Sequence, residues 1–413
     1  MARPKVSITL LNNQLGQVTP SADGVAGLLM TGIATANIAL GETKKITSVK
    51  DAEALLLTAA YDTTNTTNVY KSIVDFFAEA GEGSVLYIQI VAKTTLMAGM
   101  CDITNNILKK LLNDGGGKIR IAGVTRVPDG GYTPTYTGQI DTDVINALPK
   151  AQELANDFAT KHRPVRILLD GRDFQGNTGT LQDLKATYTH NRVGVVLVTD
   201  ISGSDNAAVG LALGRLANKP VQRKIARVKD GAIGKHALND AGEFVTTDPR
   251  QNFYLTGQTA LIETLTEVQQ DQVHDKGFIS VMKYESATGY FFTDDPTATS
   301  ATDDYNSIAR GRVVDKAIVI ANTVYTQEIQ DDLDTDENGR IDAGIIKDYQ
   351  SKIKKAIDEQ MTSADEISGC RVVIDPLQNV LSTSKVAISL FIRPKFYSKE
   401  IAVTLGFENP ANT

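Results

Sequence analysis

The sequence predicts α/β plus α+β architecture: a layered α/β N-terminal domain, a smaller α+β C-terminal domain, and an extended β-arm at each end. Three observations predict it. Apolar segments that read as buried strands alternate with helical stripes, the pattern of a mostly parallel sheet covered by helices. After about residue 275 that alternation gives way to strands and helices in runs. Both extremities alternate apolar and polar residues with a period of two, as a strand with one buried face does. The expected organisation is an N-terminal arm over 1–18, the α/β domain over 19–275, the second domain over 276–397 and a C-terminal arm over 398–413.

In chain order, Val6, Ile8 and Leu10 alternate with polar neighbours and form the first arm. Residues 51–60 read as a short helix. Thr67 is placed to cap a helix that buries Val69, Ile73, Phe76 and Phe77 and stops at Gly81. Strands follow at 85–91 and 119–124, separated by a helical stripe that ends at Gly115-Gly116-Gly117. A helix starting near Pro149 buries Leu154 and Phe158, since proline suits a first helical turn. Strands at 165–169 and 194–198 lead to a helix within 205–217. There, Gly210 and Gly214 lie four apart and predict close approach of another backbone. In the second domain, strands are expected at 278–284, 289–292, 371–375 and 386–394, and helices at 303–322 and 345–361. The final arm alternates Ile401, Val403, Leu405 and Phe407 with polar or small residues.

Composition narrows the function. Of 413 residues, 42% are hydrophobic and 22% charged, which argues against a disordered chain. A net charge of −7 with scattered Lys and Arg disfavours nucleic-acid binding. Cys101 and Cys370 make no disulfide framework and are expected to be reduced. No apolar run approaches the roughly 20 residues that would span a membrane. The opening residues are too polar for a signal peptide, so export by the general secretory route is not expected.

Candidate chemistry is sparse. Asp170 and Asp200 end apolar strands, where two carboxylates could hold Mg²⁺, but aspartate there also caps the following turn. The Gly115-Gly117 run precedes a strand rather than a helix, the wrong order for a phosphate loop. His162, His190, His236 and His274 show neither metal-ligand spacing nor a nucleophile constellation, so no catalytic residue is assigned. The segment from Asp334 to Asp342 matches the first part of a calcium loop, with Asp334, Asp336, Asn338 and Asp342 as oxygen ligands and Gly339 at the turn. Its twelfth position is Ile345 instead of a carboxylate, so a weak Ca²⁺ site or a plain acidic turn is expected, and no other cofactor. Lys347, Lys352, Lys354 and Lys355 mark the polar side of the 345–361 helix.

The arms carry the stronger signal. An unpaired strand edge is a binding site for another chain. From the residues alone, donation of each arm to a neighbour and folding back on its own sheet weigh about equally.

Several segments, in order, resemble the contractile-tail sheath proteins of phages and related injection systems. Phe76-Phe77, the Gly81–Gly83 turn and the strand over 85–88 are similar to that family's helix, glycine turn and apolar strand. Leu213-Gly214-Arg215 and the basic connector to Lys229 resemble the subfamily of Mu-like and Bacteroidetes phages. Gly289-Tyr290-Phe291-Phe292, Asp304-Tyr305 and Arg310-Gly311-Arg312 are similar to the start of its C-terminal domain, and 379–401 to its closing strands and arm. The resemblance implies a non-enzymatic subunit of stacked hexameric rings around an inner tail tube, with baseplate and tail terminator proteins as further partners. It implies assembly in the bacterial cytoplasm, no nucleic acid and no direct membrane insertion. It also implies inter-subunit contacts through Val6, Ile8 and Leu10 and through Ile401, Val403, Leu405 and Phe407. The lysine-bearing helix is then the candidate tube-facing element.

Overall fold

A computed structural model describes residues 22–234, 252–399 and 401–407, and the backbone alone of 236–238 and 244–246. Val6, Ile8 and Leu10 lie outside the described residues. The chain forms two compact units, Met1–Ile329 and Gln330–Thr413.

The first unit runs β1 (Ala26–Gly32), β2 (Thr43–Ile46), α1 (Val49–Ala54), α2 (Ala59–Asn65), α3 (Val69–Ala80), β3 (Leu86–Ala92), α4 (Met97–Cys101), α5 (Ile107–Asp114), β4 (Ile121–Thr125), β5 (Tyr136–Thr137), β6 (Ile140–Asp141), α6 (Thr142–Thr160), β7 (Arg166–Asp170), α7 (Leu184–Thr187), β8 (Val193–Val196), β9 (Val198–Thr199) and α8 (Val209–Asn218). It continues through β10 (His236–Leu238), β11 (Phe244–Thr246), β12 (Tyr254–Leu255), α9 (Glu267–Asp275), β13 (Phe278–Ile279), β14 (Val281–Lys283), β15 (Tyr290–Phe292) and α10 (Ile308–Tyr325).

Its centre is a seven-stranded sheet in the order β13-β8-β7-β4-β1-β3-β2. Only the edge strand β2 runs antiparallel to its neighbour. Every residue of β1, β4, β7 and β8 is buried, which requires cover on both faces and explains their mainly apolar middles; Arg166 and Asp170, at the two ends of β7, are the charged exceptions. The close approach expected at Gly210 and Gly214 is present. A Cβ there would lie 2.2 Å from the Ser72 carbonyl oxygen and 2.3 Å from that of Phe76, so α8 rests directly on the α3 backbone.

Three local expectations are corrected. Pro149 lies inside α6, not at its start. Asp141 caps the true first turn by accepting from the Asp143 N–H at 3.0 Å, and burial of Val144, Leu148, Ala151, Leu154 and Phe158 offsets the hydrogen bond that proline forgoes. Thr67 does not cap α3. Asp62 accepts from the N–H groups of Val69 (2.8 Å) and Lys71 (2.9 Å), and the Thr67 hydroxyl donates to that carboxylate. The texture change near residue 275 falls inside the first unit, because β13 pairs with β8 and extends the sheet. Further along, Asp315 of α10 meets Arg166 at 2.6 Å and Arg192 at 2.9 Å, a buried bridge that ties the helix to β7.

The second unit contains α11 (Ala343–Ile357), β16 (Ile367–Ile374), α12 (Val380–Thr383) and β17 (Ile388–Pro394). Ile346, Tyr349, Ile353 and Ile357 form the buried stripe of α11. β16 and β17 pair antiparallel, with Val372 opposite Leu390 and Ile374 opposite Ile388.

Candidate assembly site

The hairpin of the second unit is an unfinished sheet. Among the described residues no third strand joins β16 and β17. Two strands alone are marginal in water, and their open edges present unpaired backbone groups. Side-chain alternation puts Cys370, Val372 and Ile374 on one face with Ile388, Leu390 and Ile392. α11 packs against β16, and Ile374 is buried. Ile388, Leu390 and Ile392 of β17 remain only partly covered. On the opposite face the Arg371 guanidinium lies 4.4 Å from the centre of the Phe391 ring, which is itself half exposed.

Beyond β17 the chain runs out into solvent. Ile401, Val403, Leu405 and Phe407 are each at least 72% exposed, and 401–407 forms no strand with the described residues. Four apolar side chains thus stand exposed at alternate positions along 401–407. Burying each would contribute about 1.5–3 kcal/mol.

The four lysines sit on the exposed side of α11, but three are already balanced. Lys352 meets Asp348 at 2.7 Å, Lys354 meets Asp358 at 2.6 Å and Lys355 meets Glu359 at 3.9 Å. Lys347 is exposed. The surface is therefore a lattice of i,i+4 pairs rather than a bare basic stripe.

Two carboxylates of the acidic loop are spent on backbone. Asp336 accepts from the N–H groups of Asn338 and Arg340, both at 2.8 Å, and Asp342 caps α11 through the Gly344 N–H at 2.6 Å. Asp334 offers its backbone carbonyl to the Asp342 N–H. The Asn379 side chain donates to the Asn338 carbonyl at 2.9 Å and the Leu381 N–H to that of Gly339, so the loop braces α12. Among the described residues no group of three or more His, Cys, Asp or Glu is placed to hold a metal ion. The sequence motif hid this bracing role, because its partner Asn379 lies 41 residues away.

In the first unit, the strand ends where α/β proteins commonly bind ligands are filled. Arg126 is 1% exposed; it donates to the Thr95 carbonyl at 3.0 Å, pairs with Asp143 at 3.1 Å and stacks 3.9 Å from the Tyr132 ring centre. Asp170 accepts from the Ala207 N–H and from the Asn206 amide, both at 2.7 Å; burial pushes its carboxyl up to about 6. Asp200 instead meets Lys71 at 2.8 Å. The two strand-end aspartates thus serve separate structural partners.

Two family models cover the chain: DUF2586, N-terminal domain, over residues 3–296, and DUF2586, C-terminal domain, over 304–412. No curated protein matches in sequence. Among solved structures, a chain of the anti-feeding prophage baseplate, 6-fold symmetrised, is similar over 99% of both chains, with TM-score 0.59 and 14% identity. A chain of the anti-feeding prophage helical sheath in its contracted state covers 99% of this chain and 100% of its own, with TM-score 0.58 and 15% identity. A chain of the PVC sheath complex, an extracellular contractile injection system in its contracted state, covers 99% and 98%, with TM-score 0.54 and 12% identity. At these identities the likeness establishes a shared fold along the whole length.

Proposed function

The chain belongs to the DUF2586 family, and we propose that it is a structural subunit of a contractile tail sheath. The observation that carries this reading is the apolar alternation Ile401, Val403, Leu405 and Phe407, exposed and in no strand among the described residues, in the same unit as a sheet of only two described strands. The fold shared end to end with chains of contracted sheaths supports it. Kinship with the sheaths of Mu-like and Bacteroidetes phages rests on the sequence motifs alone.

The subunits stack as hexameric rings around an inner tail tube, between a baseplate and a tail terminator, and assemble in the bacterial cytoplasm. Arms of neighbouring copies, through Val6, Ile8 and Leu10 and through Ile401, Val403, Leu405 and Phe407, complete the hairpin sheet of each subunit. Backbone hydrogen bonds of an added strand survive rotation of the bodies they join, so the arms act as hinges while the globular units move and bury new surface. Contraction then drives the tube through a target envelope. Each subunit need contribute only a few kcal/mol, because many convert together. The role is mechanical, and no residue is assigned to catalysis.

The exposed side of α11 is the candidate tube contact. Its ion pairs are solvent-exposed and individually weak, and so exchange readily for pairs with a partner. Reversing Lys352, Lys354 and Lys355 to Glu is expected to shorten or abolish the hollow cylinders formed with tube protein in negative-stain images. Cylinders of unchanged length and number would remove α11 from the tube contact, and a complete lack of cylinders from the unaltered chain would count against the sheath reading itself.

A further inference from the structure

We propose that the basic corner where β4 and β7 begin is a contact between copies, and that it receives the acidic loop over 331–337 of a second copy. The proposal rests on the sheath reading above and adds a contact made by the globular units rather than by the arms. β4 and β7 are neighbours, with Ile121 opposite Arg166, so the segments that lead into them lie side by side. Gly116 and Gly117, just before β4, have φ of 61° and 72°, a region that favours glycine. A Cβ on Gly117 would lie 2.7 Å from Cδ of Arg163, so the arginine stem rests on the bare turn. Arg120 donates to the Gly117 carbonyl at 3.0 Å, and Lys118, between them in the chain, is exposed. Three cations are thus gathered at one turn. The acids around this corner are engaged elsewhere: Asp114 meets Lys110 at 2.7 Å, Asp157 meets Lys161 at 2.6 Å and Asp23 meets Lys316 at 2.8 Å. Among the described residues no ion pair reaches Lys118, Arg120 or Arg163. Burial holds the Arg120 guanidinium below its ordinary pKa, against the longer-range pull of Asp23 and Asp315. Like charges fixed together by backbone geometry, one of them partly desolvated, favour an anion supplied from outside.

A second copy carries the complement. Asp331, Asp332, Asp334, Asp336 and Glu337 place five acids in seven residues, the densest such run in the sequence, and no Lys or Arg occurs between Lys316 and Arg340. All five are exposed. Asp336 is committed to backbone N–H groups, whereas no ion pair reaches Asp332, Asp334 or Glu337 among the described residues. The loop is held in shape by its bonds to Asn379 and Leu381, so its carboxylates are presented together. With a net charge of −7 on each copy, neighbours repel except where a basic corner meets an acidic one. Pairing at exposed groups fixes which faces meet and is screened by salt.

The test measures, by sedimentation at low ionic strength, the concentration at which the full-length chain assembles. One variant carries Lys118→Glu and Arg163→Glu; another carries Asp332→Lys, Asp334→Lys and Glu337→Lys. Each variant alone should need about tenfold more protein than the unaltered chain. The gap should close at about 1 M salt, where the screening length falls to about 3 Å. An equal mixture of the two variants should assemble like the unaltered chain, because each reversed corner then meets a reversed loop on the other copy. That recovery also shows that both variants fold. A chain carrying all five reversals should recover as well. Recovery by that chain but not by the mixture would place the pairing within one molecule and overturn the contact between copies. Unchanged thresholds for the two variants, or no recovery in either experiment, would overturn it too and leave the sheath reading standing. An unaltered chain that assembles at no concentration would overturn both.

Discussion

Removal of residues 398–413 is expected to leave a folded, soluble chain that no longer polymerises. The apolar residues of 401–407 are largely exposed: Leu405 is 90% exposed and Val403 72%. β17 ends at Pro394, and the Lys395–Asp365 ion pair lies before the deletion, so the hairpin keeps its contacts. Loss of stability should stay within about 0.5 kcal/mol, the range of surface changes. Assembly should vanish, because an added strand is the link that joins one subunit to the next. Circular dichroism and thermal melting measure the first effect and negative-stain microscopy the second. Cylinders from the truncated chain would show that the arm is dispensable; a misfolded product would show that it belongs to its own core.

The largest effect on stability is expected where α8 meets α3. Gly210→Ala and Gly214→Ala each place a methyl group 2.2–2.3 Å from a backbone carbonyl oxygen, a contact no side chain can relieve. The helices must separate, and α8 also packs on β4, β1 and β7, so the shift reaches the sheet. Each change should cost about 1–3 kcal/mol and lower the urea midpoint of the first unit. Gly130→Ala serves as the control, since nothing lies within 4 Å of its Cβ position, and it should stay within about 0.5 kcal/mol. Equal midpoints for the three variants would contradict the backbone-to-backbone contact.

Much of the architecture is legible in the residues, for identifiable reasons. Much of the parallel sheet shows itself because β3, β4, β7 and β8 have buried, mainly apolar middles, and they fall at the strands expected over 85–91, 119–124, 165–169 and 194–198. The central strand β1 does not, since Gly27, Thr31 and Gly32 break up its apolar run. Gly210 and Gly214 betray close helix packing because glycine is otherwise unfavourable inside a helix. What stays hidden depends on partners remote in sequence. Asp62 caps α3 in place of Thr67, and no local pattern marks an acid six residues upstream of the N-cap. Asp336 and Asp342 mimic calcium ligands because backbone N–H groups and cations ask for the same oxygen. The C-terminal arm is legible as an alternating strand. Its exposure is not, since periodicity says that one face is buried and not which molecule buries it.

The most direct measurement is a cryo-electron microscopy reconstruction of the assembled cylinder, traced far enough to follow the end of one subunit. The expected result places 401–407 of each copy as a strand beside the Ile367–Ile374 and Ile388–Pro394 hairpin of another. Residues 401–407 lying along the hairpin of their own subunit would contradict the account, however regular the cylinder.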